Sequence, residues 1–185
     1  MENKQLDSLK ISVLCENTAM HGTQFLGQHG MAYLLQAQKG SVTQNIIVDV
    51  GQNHHTLIHN MNVFGINPQD IDMIVITHCH YDHTQGIADL LSKIGKKNVP
   101  VIGHPLNFRL NFRTEPYLDY AGVASEDHPM NIAANGGRLF LTKDPLQLMP
   151  GLTTTGEIPR ITPFEDPGIS TYTILNGCIE KDNIT

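Results

Sequence analysis

The chain has 185 residues, 40% of them hydrophobic and 16% charged, with a formal net charge of −6. That length supports one domain with a substantial core, and the composition is that of a globular chain rather than a disordered one. The acidic balance argues against a nucleic-acid partner, because a phosphate-backbone binder carries a basic face.

The N-terminus, Met1-Glu2-Asn3-Lys4-Gln5, is polar and has no secretory apolar segment. No apolar stretch approaches the ~20 residues of a membrane helix, so no membrane partner is expected. Cys15, Cys79 and Cys178 are odd in number and form no CxxC pair, which fits a reducing compartment; the expected location is cytoplasmic.

In chain order, Leu9–Leu14 alternates apolar and polar residues and predicts a half-buried strand. Met31–Leu35 and Asn45–Val50 predict two more, with a hairpin turn at Lys39-Gly40-Ser41. From Asn53 the period turns helical, with Leu57, Ile58, Met61 and Phe64 on one face. Asn67-Pro68-Gln69-Asp70 carries the start signals of a short helical turn. Met73–Thr77 is an unbroken apolar run, predicting a strand buried on both faces. Ile87, Leu90, Leu91 and Ile94 follow the spacing of an amphipathic helix that ends at Gly95. Val99–Ile102 predicts a strand and Leu106–Phe112 a helix, while 113–137 reads as a long loop or insertion. Arg138–Thr142, Leu152–Thr155 and Ser170–Leu175 predict further strands. Early strands, with helices between later ones, place the chain in the α/β or α+β class.

Between the fourth strand and the amphipathic helix stands His78-Cys79-His80-Tyr81-Asp82-His83. His78 and His80 are two apart and leave an extended backbone on the same face. Asp82 and His83 follow at the bend, where they can converge from another direction. Imidazole and carboxylate together suit zinc, manganese or iron better than calcium or magnesium. Cys79 should point the other way and is read as packing. His54, His55 and His59 lack the H-E-x-x-H pattern and read as a solvated helix face; His128 reads as exposed.

Strand, His-x-His-x-Asp-His and amphipathic helix together resemble the metallo-β-lactamase superfamily, as does Asp49-Val50-Gly51 at the end of the third strand. Within it the chain is similar to stand-alone metal-dependent hydrolases that include the archaeal dihydropterin–ribofuranosylaminobenzene phosphate synthase type. Glu16-Asn17-Thr18, Gln28-His29-Gly30 and Thr155-Gly156-Glu157-Ile158-Pro159-Arg160 carry that likeness. The resemblance implies an αββα sandwich formed by 1–185 as a single domain, its second half incomplete. It implies that His78 and His80 bind a first metal and Asp82 and His83 a second, with zinc the default and iron or manganese alternatives. Asp49 would orient the ligands by hydrogen bonds, and His104 would lie beside the site. His29 would face substrate or cap a turn; Glu157 and Arg160 would anchor an anionic substrate or form an ion pair.

The implied activity is hydrolysis of a small-molecule substrate by a metal-bound hydroxide, held in line by Asp82. A dihydropterin–aminobenzene ribotide phosphate synthase is the alternative, and an inactive or non-catalytic metal-binding fragment the third reading. Gln85 and Val50 depart modestly from the family pattern. The larger departure is that few donors follow His83, so a second chain or homo-oligomer is expected to complete the fold.

Overall fold

A computed structural model describes residues 5–159, 161, 162, 164 and 171–182. Its strands are β1 (Ser8–Cys15), β2 (Ala32–Lys39), β3 (Val42–Val48), β4 (Met73–Val75), β5 (Val99–Gly103), β6 (Asn111–Arg113), β7 (Asp119–Tyr120), β8 (Gly137–Leu141), β9 (Gln147–Met149), β10 (Leu152–Thr153), β11 (Thr171–Leu175) and β12 (Cys178–Lys181). The helices are α1 (His54–Val63), α2 (Tyr81–Thr84), α3 (Ile87–Ile94) and α4 (Pro129–Ala134), with two short 3-10 turns at Pro68–Asp70 and Ser125–Asp127. None is long and apolar enough to cross a membrane.

The main sheet has six strands in the order β1-β2-β3-β4-β5-β8. Hairpins make β1–β2 and β2–β3 antiparallel; helical crossovers make β3–β4, β4–β5 and β5–β8 parallel. One face packs on α1, α3 and α4 through Leu14, Leu34, Ile47, Ile74 and Val101 against Leu57, Met61, Leu90, Leu91 and Ile132. On the other face Ile46, Met73 and Ile102 meet Leu146, Leu148 and Leu152 of the β9–β10 region. Burial on both faces is why β4 reads as a continuous apolar run. At the margins of this second face, Leu9, Ile11 and Val13 of β1 and Phe140 of β8 remain exposed. The result is a mixed α/β layer structure.

The local signals act as physical chemistry predicts. Asn53 and Asn67 accept N–H groups at the starts of α1 and the first 3-10 turn, and Gly95 closes α3 at φ 67°. Helix α3 begins at Gly86 without a side-chain cap of its own. The buried Asp127 supplies one, accepting the N–H groups of Gly86 and Ala88 at 2.8 Å each.

The segment 106–112 is not helical, contrary to expectation. It makes a turn and then enters β6, which pairs with β11 and β7 in a second sheet ordered β12-β11-β6-β7. The buried Arg109 draws it there: its guanidinium bonds Asp182 through Nε at 2.9 Å and Nη2 at 2.6 Å. Within 113–137 lie β7, the Ser125–Asp127 turn and α4.

Candidate metal centre

The parallel strands β3, β4 and β5 end on one side of the sheet, the edge where α/β proteins assemble sites from loops. Asp49 follows β3, the run Thr77–His83 follows β4, and His104 follows β5.

Asp49 is almost fully buried and takes φ 56°, a left-handed conformation that aspartate tolerates better than most residues. That twist turns its carboxylate onto the neighbouring loop. Oδ1 accepts the Thr77 N–H at 2.8 Å; Oδ2 accepts the Thr77 hydroxyl and His83 Nδ1–H, each at 2.7 Å. With its hydrogen committed to Asp49, the Thr77 oxygen accepts from His78 Nδ1 at 2.9 Å. Both imidazoles therefore carry hydrogen on Nδ1, which leaves Nε2 of His78 open, and that of His83 once it is neutral.

The rings of His78 and His80 lie 4.7 Å apart, and those of His78 and His83 4.1 Å. Burial, reinforced by the neighbouring imidazoles, pulls His78 down to about 4, and burial lowers His80 as well. Both are neutral at pH 7, the form that ligates metal. Nε2 of His80 is buried and, among the described residues, has no hydrogen-bond partner. Among imidazoles and a carboxylate, such a nitrogen is placed to accept from a water or to bind a metal ion.

His83 Nε2 stands 3.3 Å from Asp82 Oδ2. Burial pushes His83 down, but its hydrogen bonds to Asp49 and Asp82 outweigh that and raise it to about 9. Burial pushes Asp82 up, and its hydrogen bond with His83 prevails, holding it at about 2. Among the described residues, no group of three or more His, Cys, Asp or Glu side chains is gathered as it stands to hold a metal ion. The donors stand instead as contiguous pairs, and their chemistry fits a transition metal. Cys79, in their midst, is fully buried, its thiol raised to about 11 by burial.

The other sequence-derived candidates divide. His29 reaches the site, with Nε2 3.5 Å from Asp82 Oδ2. His104 accepts the Leu106 N–H on Nδ1 and donates from Nε2 to Glu157 Oε2 at 2.8 Å, so its two ring nitrogens are engaged at the end of β5. Lys143 also meets Glu157, at 3.2 Å, and these two partners hold the Glu157 carboxyl below its usual range. The structure thus brings His104 and Glu157 together; Arg160 lies outside the described residues. His128 is half-buried, its ring 6.4 Å from that of Phe108. His54 pairs with Asp89 at 3.0 Å, and His59 fastens the Gln24 carbonyl at 2.7 Å.

Sequence reasoning missed three contributors. Thr77 counts in the sequence as the end of an apolar strand, and its hydroxyl acts only once Asp49 is brought beside it. The Arg109–Asp182 pair spans 73 positions and leaves no local trace. Asn60, buried in α1, bonds Leu14 O, Leu26 N and Leu26 O and so ties down the loop that carries His29.

A sequence model of the beta-lactamase superfamily domain matches residues 44–150, more than half of the chain and all of the site between β3 and β5. The chain belongs to that superfamily. It is 34% identical over 183 residues, 97% of its length, to the 7,8-dihydropterin-6-methyl-4-(beta-D-ribofuranosyl)-aminobenzene-5'-phosphate synthase of Methanocaldococcus jannaschii. It is 27% identical over 159 residues to an uncharacterized protein of the same organism. The chain spans 62% and 56% of the lengths of these two relatives. Among solved structures, the metallo-beta-lactamase fold protein YhfI from Bacillus subtilis aligns with 91% of this chain and 58% of its own, at 17% identity and a TM-score of 0.49.

Proposed function

We propose that this superfamily member is a metal-dependent hydrolase of a small-molecule substrate. His78, His80, Asp82 and His83 are its protein ligands for one or two ions, zinc by default and iron or manganese by the same donor chemistry. The observation that carries this reading is the buried, unpartnered Nε2 of His80, beside two further imidazoles and an ionised carboxylate. When bound, such an ion supplies Lewis acidity and an activated water. The chain's own residues prepare for it. Asp49, directly and through Thr77, fixes the tautomers of His83 and His78. Burial keeps His78 and His80 neutral. Asp82, ionised at neutral pH, orients the attacking water.

A second reading is a synthase joining a dihydropterin unit to an aminobenzene ribotide phosphate. The likeness to the M. jannaschii synthase, which runs along nearly the whole chain, supports it.

An activity panel separates these. The purified chain, loaded with zinc, iron or manganese, is offered phosphodiesters, phosphomonoesters and lactones, and separately the dihydropterin and ribotide pair. Turnover of an ester or lactone is expected. Product from the pair alone moves the assignment to the synthase. Metal uptake with no turnover in either arm leaves a non-catalytic metal-binding chain.

A further inference from the structure

The two motifs upstream of the metal run, Glu16-Asn17-Thr18 and Gln28-His29-Gly30, converge on one of its members. The loop between β1 and β2 folds back so that Gln28 N–H bonds Glu16 O at 2.9 Å. His29 Nδ1 then lies 3.3 Å from Asn17 Oδ1, and its Nε2 lies 3.5 Å from Asp82 Oδ2. Next in sequence, Gly30 takes φ 85° and lies so close to the ligand run that a Cβ there would stand 1.7 Å from the Asp82 carbonyl oxygen. No other residue type fits that approach, so the loop is seated on Asp82 by backbone shape. Gly51, after β3, takes φ 73° and packs against the Gln28 side-chain amide. Asn60 of α1 clamps the far side of the loop at Leu26. His29 is thus placed from both sides, although its own side chain is 58% exposed.

We infer that His29 is a positioning residue for Asp82: held by Asn17, it faces one carboxylate oxygen at 3.5 Å and so sets how the other faces the metal. The inference rests on the metal-dependent reading above. A carboxylate only accepts, so the single ring hydrogen faces Asp82 on Nε2, and Nδ1 accepts from the Asn17 amide, turned with its nitrogen toward His29. Asp82 Oδ2 then sits between His29 on the solvent side and His83 on the buried side. Such outer partners of a ligating carboxylate typically set metal affinity by ten- to a hundred-fold.

The test uses the full chain and measures zinc affinity by competition with a chromophoric chelator, together with the visible spectrum of the cobalt-substituted protein. His29→Ala is expected to weaken zinc binding by about ten- to a hundred-fold and to shift the cobalt bands, with the melting temperature of the metal-stripped protein unchanged. Asn17→Ala should move both readings in the same direction by less. His29→Gln, whose amide keeps a donor, should restore part of the affinity. Wild-type affinity and an unaltered cobalt spectrum in His29→Ala would overturn the inference while leaving the metal reading intact. A rise in KM alone, with affinity unchanged, would overturn it in favour of a substrate contact. A wild-type chain that takes up no metal removes the metal reading and this inference with it.

Discussion

His83 and Asp49, 34 positions apart, meet in a 2.7 Å hydrogen bond from Nδ1 to Oδ2. The bond joins the end of β3 to helix α2 and decides which nitrogen of His83 is left for a ligand. The same carboxylate holds Thr77 through both its backbone N–H and its hydroxyl.

Replacing Asp49 with Ala strands three donors at once. The expected outcome is a fall in zinc affinity of about ten- to a hundred-fold and a loss of at least about 2 kcal/mol in unfolding free energy, since hydrogen bonds to a buried charge are being removed. Chelator competition and urea denaturation check the two effects. Asp49→Asn should keep more of the stability than of the affinity, because its amide can still accept from Thr77.

Metal uptake should depend on pH through His83. Its raised value, about 9 against an ordinary 6.5, means that a proton occupies the imidazole across the neutral range and must leave before the nitrogen can ligate. Zinc affinity is therefore expected to climb by close to tenfold per pH unit from about 6.5 toward 9 and then level off. In chelator-treated protein the trend reverses. A folded value raised above the unfolded one contributes stability that is fully present below 6.5 and lost as pH rises through about 9. Asp82, lowered from 3.8 to about 2, contributes stability present above 3.8 and lost as pH falls through about 2. The pair stabilises the stripped protein most between about 4 and 6.5, which melting curves across pH will register.

The Arg109–Asp182 pair should matter to folding more than to chemistry. Its side chains are 4% and 0% exposed, and Asn111 Nδ2 also donates to the Asp182 carboxylate. Asp182→Ala leaves a buried guanidinium uncompensated and should cost about 3–5 kcal/mol. Arg109→Met combined with Asp182→Leu should recover much of that, because removing both charges is far milder than removing one. Denaturant titration of the single and double variants measures the difference.

Much of this was legible in the sequence because the signals were local. The period of Ile87, Leu90, Leu91 and Ile94, the Asn67-Pro68 start and the apolar run at Met73 each act within a few residues, and α3, the 3-10 turn and β4 stand where those signals put them. The segment 106–112 failed for the opposite reason: its partners are β11 and Asp182, at sequence separations of 60 to 73, and local pattern cannot see them. Strand β12 was missed although its signal was present. Asn176 and Gly177, at φ 52° and 80°, form the two-residue hairpin turn that an Asn-Gly pair favours. At the site, the compact run 78–83 was conspicuous, and the placement of Asn17 and His29 against it was not. That placement depends on a loop whose course is set by Gly30, Gly51 and Asn60, each acting across the fold.

The most direct test of the metal-dependent account is elemental analysis of the chain purified in zinc-supplemented medium, compared with His80→Ala and His83→Ala. The account predicts at least about one equivalent of metal in the wild type and a large loss in both variants, with the fold retained by circular dichroism. Metal content near zero in the wild type, or equal in all three proteins, would contradict it.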